Sequence, residues 1–121
     1  IIRIIFDLHP RTHIQQSHFK CLNFLSVSNR ATYLALNILF KCLNTSSPEY
    51  MFDFSFANAH HNHNTRFSTN SLHMPFLKSS GKKTFIHFAI KSWNLIPNDI
   101  RNISSMLTFK IRLKKWLINN Q

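Results

Sequence analysis

The residues with the most capacity for chemistry are histidines, and three of them, His60, His61 and His63, lie close together in a polar stretch that spans 60–71. Imidazoles are common zinc ligands, but a structural zinc site needs four nitrogen or sulfur ligands at a recognisable spacing. Cys21 and Cys42 are far from the cluster and do not form a C-x-x-C pair. We therefore favour a solvated polar loop, with His60, His61 and His63 as weak metal candidates, over an independent metal-dependent enzyme.

Catalysis by carboxylates has equally little support. Acid–base and two-metal mechanisms need clustered acidic side chains, whereas Asp7, Glu49, Asp53 and Asp99 are scattered along the chain. Gly81 is the only glycine, which excludes both a G-x-S-x-G nucleophile elbow and a glycine-rich loop that cradles phosphate. We predict that this chain has no catalytic residues and binds no cofactor.

The charge balance points to a polyanionic partner. The chain has fifteen Lys and Arg residues but only four acidic residues, so its formal net charge is +11. Nucleic acid is the commonest partner for such a chain. Since few acids are available to pair with these cations, we favour phosphate contact as their role. The alternative is that the positive charge only reflects a biased composition. Aromatic side chains beside them could stack on bases but are better explained as core. The predicted nucleic-acid-binding residues are Arg66, Lys78, Lys82, Lys83, Lys110, Arg112, Lys114 and Lys115.

Length and composition bound the class of protein. The 121 residues suffice for one domain at most, 1–121, and the 44% hydrophobic and 16% charged content is unlike that of a disordered tail. No apolar run approaches the ~18 residues that span a bilayer, so we expect no membrane partner. Two widely spaced cysteines suit a reducing compartment. The chain begins at Ile1 and its first methionine is Met51, so we expect a fragment of a longer polypeptide.

Hydrophobic periodicity predicts a mainly α fold, a small bundle of five or six short helices with a long polar loop. The clearest helix spans Thr84–Pro97, where Thr84 can cap the first turn and Pro97 cannot continue the last. Further helices are predicted at 1–8, 14–25, 29–43, 48–54 and from Ser104 or Ser105 to Asn119. The only sheet structure the sequence leaves room for is one short β-hairpin within 72–83. The predicted core residues are Leu36, Phe40, Phe85, Ala89, Trp93, Pro97, Phe109 and Leu113.

Six short motifs occur in a characteristic order along nearly the whole chain. They are LNFLSVSNR, LFKCLNTSSPEY, HNTRFS, LHMPFLKSSGKKTF, KSWNLIPNDIR and SMLTFKIRLKKWL. In this order they resemble the C-terminal tail of reverse transcriptases from non-LTR (LINE-type) retrotransposons, jockey-like and related clades. The matching positions include Arg30, Tyr50, Arg66, Gly81, Trp93, Asn94, Arg101, Phe109 and Lys114. The departures are Phe24 where the family usually has Trp, Ser26 where it has Pro, and Ile96 where it has Leu.

The resemblance implies a parent RNA-directed DNA polymerase, of which this chain would be a non-catalytic domain following the thumb. The polymerase's Tyr/Phe-x-Asp-Asp metal site has no counterpart in these residues. The implied role is contact with template RNA or target DNA, inside the cell, in the nucleus or cytoplasm, with the upstream polymerase domain as a further partner. The alternatives are a structural brace that packs on the polymerase thumb without touching nucleic acid, or the remnant of a decayed element.

Overall fold

The computed structural model describes residues 1–45, 70–74, 76 and 84–120, and this part of the chain is mainly helical, as predicted. It contains no strand. The short helix predicted at 48–54, most of the polar loop and the basic turn around Gly81 lie outside the described residues. The helices are α1 (Ile2–Ile5), α2 (Gln16–Cys21), α3 (Val27–Thr45), α4 (Phe85–Leu95), α5 (Asn98–Arg101) and α6 (Met106–Asn119).

The core forms where α3 packs against both α4 and α6, while α5 packs against α6. Its centre is aromatic: the rings of Phe40 and Phe109 stack with centroids 4.1 Å apart, and Trp93 lies 6.0 Å from Phe109. Such a cluster contributes large buried areas from few residues, which suits a small bundle. The predicted core residues that are buried are Leu36, Phe40, Ala89, Trp93, Phe109 and Leu113.

Phe85 and Pro97, also predicted as core, are exposed. Phe85 shares a face of α4 with the buried residues Ala89 and Ser92, but it lies in the first turn, before the buried part of the helix begins, and 40% of its surface is exposed. Pro97 occupies the N-cap position of α5. It ends α4 at the corner, as predicted, while its own ring remains in solvent.

Helix α3 is longer than predicted and begins earlier. Ser26, expected to break a helix, instead begins one, because its Oγ accepts a hydrogen bond from the backbone N–H of Asn29 at 3.3 Å. The sequence of α3 has apolar residues on two faces, and such a pattern is typical of a helix that is buried all round. Leu34 and Ile38 on one of these faces are 48% and 45% exposed, so α3 covers the core with one face and leaves part of the other in solvent.

Helix α2 is shorter than the predicted 14–25 because the backbone reverses at Asn23. Asn23 has a φ of 57°, in the left-handed region that Asn tolerates better than most residues. The N–H of Phe24 donates to the carbonyl of Phe19 at 2.9 Å, and the N–H of Asn23 donates to that of Lys20 at 3.0 Å. These two bonds form a Schellman C-cap, which satisfies carbonyls that the helix end leaves open.

The N-terminal segment also contains less helix than predicted, since α1 covers only Ile2–Ile5 of the expected 1–8. The guanidinium of Arg3 holds the following loop by donating to the carbonyls of His9 and Thr12 at 3.0 and 2.7 Å. None of the helices in the described ranges is both long and apolar enough to cross a bilayer.

Candidate nucleic-acid interface

Helix α6 carries the densest set of cations in the described chain. Phe109, Leu113 and Leu117 recur every four residues and are buried, so the helical period places the charged positions between them on the outer surface. The exposed cations are the four that the sequence predicts for this helix, Lys110, Arg112, Lys114 and Lys115.

These four cations have no acidic partner among the described residues. Asp7 and Asp99 are the carboxylates of that part of the chain, and neither forms an ion pair with α6. An exposed cation without a partner keeps its full capacity for phosphate contact, because no intramolecular pair has to be broken first. The arrangement therefore presents positive charge on a helix that the core holds in place.

Polar contacts fix the C-terminal half of α6 against the rest of the bundle. The side-chain amide of Asn29 on α3 donates to the carbonyl of Leu117 at 3.1 Å. The ammonium of Lys20 on α2 donates to the carbonyl of Asn119 at 3.4 Å, where the negative end of the helix dipole favours a cation. Both contacts bring α2 and the start of α3 close to the basic end of α6.

A surface groove of about 420 Å³ lies along this end of α6, and a second groove of about 360 Å³ adjoins it. Asn23 and Lys114 line both of them. The first groove is further lined by Ile111, Lys115, Ile118 and Asn119. The second is further lined by Phe19, Phe24, Leu25 and Arg30. No residue in either set is acidic.

Phe24 and Arg30 were not among the predicted binding residues, although both lie in the first of the six motifs. The guanidinium of Arg30 lies 5.8 Å from the centroid of the Tyr33 ring, within the range of a cation–π contact. Their proximity to Lys114 depends on the reversal at Asn23 and on the packing of α6, neither of which has a local sequence signal. The only indication in the sequence that these two residues could bind a ligand was that an arginine and an aromatic residue occur in the same motif.

A second polar centre ties residues 70–72 to α4. The indole Nε1 of Trp93 donates to the carbonyl of Asn70 at 2.9 Å. The side chain of Asn94 accepts from the N–H of Leu72 at 3.0 Å and donates to its carbonyl at 2.9 Å. Asn94 lies away from the apolar stripe of α4, but it is half-buried because its side-chain amide pairs with the backbone of Leu72 as a neighbouring strand would.

Arg101 on α5 reinforces this centre. Its guanidinium donates to Ser71 Oγ at 2.9 Å and to Asn98 Oδ1. Burial lowers the pKa of Arg101 below its ordinary value, because desolvation disfavours the charged form. Among the described residues, its buried Nε has no hydrogen-bond partner. These contacts indicate that Arg101 has a structural role.

Several predicted site residues lie outside the described residues. Within 1–45, 70–74, 76 and 84–120, no three His, Cys, Asp or Glu residues lie close enough to hold a metal ion. This leaves the weak metal candidates untested, because they are outside those ranges. The binding and metal candidates that fall outside are Arg66, Lys78, Lys82, Lys83, His60, His61 and His63.

Comparison with known proteins adds no relative: no family model, no curated protein and no solved structure matches this chain.

Proposed function

We propose that this chain is a non-catalytic region of a LINE-type reverse transcriptase that binds template RNA or target DNA. Two features of the sequence support the proposal: the order of the six motifs and the net charge of +11. Each motif is short and carries little weight alone. The order of all six along nearly the whole chain is more specific.

The structural observation that carries the proposal is the set of exposed cations on α6. Lys110, Arg112, Lys114 and Lys115 share one helix, and Phe109 and Leu113 anchor that helix in the core. Positive charge on a rigid element can follow a phosphate backbone without losing conformational entropy in a flexible segment. This favours a binding surface over cations that only keep the chain in solution.

Contacts between the motifs give further support. Asn94 of the fifth motif makes two hydrogen bonds to the backbone of Leu72, the first residue of the fourth. Lys114 of the last motif lines the same groove as Phe24 of the first. Motif residues that are distant in sequence thus meet in space, as expected when a recurring order of motifs encodes one structural unit.

The test is a binding titration of the 121-residue chain against labelled RNA and labelled duplex DNA over a series of salt concentrations. Because phosphate contacts release counterions, we expect the logarithm of the association constant to fall linearly with the logarithm of salt concentration. Absence of binding to both probes at the lowest salt would refute the proposal.

A second candidate is the structural brace that packs on the polymerase thumb. The observation in its favour is apolar surface on two helices, where Ile4, Val27, Leu34 and Ile38 are all at least 45% exposed. Such a surface is typical of a docking face. If the brace is correct, the isolated chain should bind a hydrophobic dye and self-associate. A cooperatively melting monomer that does neither would speak against this candidate.

A further inference from the structure

The two adjoining grooves combine cations with an exposed aromatic ring. Lys114 lies where they meet, with Lys115 in one groove and Arg30 in the other, and all three side chains are exposed. Phe24, the aromatic residue in the second groove next to Lys114, is 48% exposed as a residue. Since no lining residue is acidic, the surface is positive along its whole length.

The position of Phe24 follows from how α2 ends. In the Schellman C-cap, the backbone of Phe24 is fixed by its bond to the carbonyl of Phe19, and a residue at this position commonly packs on the one five positions earlier. Phe19 and Phe24 both line the second groove. The cap therefore keeps the ring of Phe24 at the surface beside Lys114, instead of in the core between α3, α4 and α6.

We propose that these grooves bind single-stranded nucleic acid, with a phosphate at Lys114 and an unpaired base stacked on Phe24. This inference rests on the proposed function and makes it more specific: the bound nucleic acid is single-stranded, and it binds in these two grooves. Base–aromatic stacking requires an accessible base face, which a duplex does not offer. Lysines alone would not distinguish the two forms, so Phe24 is the residue that carries the preference.

The experiment compares the full chain's binding to a labelled oligothymidylate and to a labelled DNA duplex of equal length. Phe24→Leu removes the ring but keeps an apolar side chain, and Phe76→Leu is the matched control, because Phe76 is 98% exposed and lines neither groove. We expect Phe24→Leu to weaken single-strand binding on the order of tenfold and to leave duplex binding nearly unchanged. Phe76→Leu should change neither.

The charge at Lys114 is tested separately. Lys114→Gln should reduce the salt slope of single-strand binding by about 0.7, the value for one phosphate contact on a single strand. Lys41→Gln, which removes an exposed charge from α3 outside both grooves, should leave the slope unchanged. Thermal melting by circular dichroism verifies that each variant is folded.

An independent readout covers the case in which Phe24→Leu does not fold. Photocrosslinking of the unmodified chain to an oligonucleotide that carries 5-iodouracil, followed by mass spectrometry, should place the adduct at Phe24. An adduct at Phe76 or Trp116 and none at Phe24 would overturn the site.

The outcomes separate this inference from the proposed function. Equal affinity for single strand and duplex, with no effect of Phe24→Leu, would overturn the groove site and leave the proposed function standing. Absence of binding to RNA, oligothymidylate and duplex would overturn both. If oligoglutamate competed as well as oligothymidylate and its binding showed the same dependence on Phe24, the grooves would be assigned to an acidic protein partner and the inference would be overturned.

Discussion

Trp93 links the core to the segment that precedes α4. Only 3% of its surface is exposed, its ring lies 6.0 Å from that of Phe109, and its Nε1 holds the carbonyl of Asn70. Truncation would leave a cavity and would remove the hydrogen-bond partner of the partly buried Asn70 carbonyl. We expect Trp93→Ala to lower the free energy of unfolding by ~3 to 5 kcal/mol, enough to unfold so small a bundle, as measured by thermal or urea denaturation.

Trp93→Phe distinguishes the loss of apolar packing from the loss of the hydrogen bond, since it keeps most of the apolar volume but cannot donate to the carbonyl of Asn70. It should lower the free energy of unfolding by ~1 to 3 kcal/mol through the unsatisfied carbonyl and a smaller cavity.

If Trp93→Ala melted like the parent chain but bound nucleic acid more weakly, Trp93 would be a stacking platform for bases and not a buried core residue.

Asn94 contributes to the stability of the fold through two hydrogen bonds to the backbone of Leu72. Asn94→Ala would leave both the N–H and the carbonyl of Leu72 without their partner, so we expect a loss of ~1 to 3 kcal/mol in the free energy of unfolding. The matched control is Asn44→Ala, because Asn44 is exposed and its side chain bonds only within its own helix, to the carbonyl of Phe40. Equal effects of the two substitutions in urea denaturation would show that the pairing with Leu72 adds nothing.

At the scale of the element, two helix starts look alike in sequence and differ in structure. Thr84 precedes α4 and accepts a hydrogen bond from the N–H of His87 at 3.4 Å. Ser105 precedes α6, and its side chain makes no capping hydrogen bond. We expect Thr84→Ala to cost ~1 kcal/mol and Ser105→Ala only a few tenths, as measured by urea denaturation.

Thr84→Ser keeps a capping oxygen and should restore most of the loss caused by Thr84→Ala. A loss at Ser105 as large as that at Thr84 would show that the serine hydroxyl caps α6 in solution.

The positions of the helices could be predicted from the sequence wherever hydrophobic periodicity and the residues at the helix ends agreed. Periodicity, a capping Thr and a terminal Pro predicted α4, and the buried positions of α6 followed from one apolar stripe. The errors arose where a nonlocal contact decides the outcome. Phe85 is exposed, although it shares a face with Ala89, because the packing of α4 against its neighbours buries the helix only from Ala89 onward, and Asn94 is half-buried because it pairs with Leu72. Periodicity contains no information about either contact.

At the scale of the whole molecule, the candidate interface could be predicted only in part. The cations of α6 could be predicted in part from the sequence, since the helical period alone places Arg112 and Lys115 on the side away from the core. The grooves could not, because they form where the turn at Asn23 meets α6, about ninety residues later in the chain. The sequence thus indicates positive charge, while the position of the turn after α2 beside α6 decides where an aromatic residue lies near that charge.

Binding of nucleic acid through α6 would depend on where the positive charge lies, and not only on the total charge of the chain. Replacing Lys110, Arg112 and Lys115 together by Gln lowers the formal charge from +11 to +8 (11 − 3). The matched control replaces Arg11, Lys41 and Lys91, which are also exposed and lie outside α6, and it reaches the same +8. With duplex DNA, each lost phosphate contact reduces the salt slope by about 0.9. We therefore expect a reduction of about 2 to 3 for the α6 triple and less than 1 for the control.

All six substitutions are at exposed positions, so both triples should melt within a few degrees of the parent chain, which circular dichroism can verify. The binding measurement then compares two folded proteins of equal net charge. If their salt slopes fell by the same amount, binding would depend on total charge alone, and the lysine-rich composition would explain it without any interface on α6. A difference of 1 or more in the slope would localise phosphate contacts to that helix, because counterion release counts the contacts made at the bound surface.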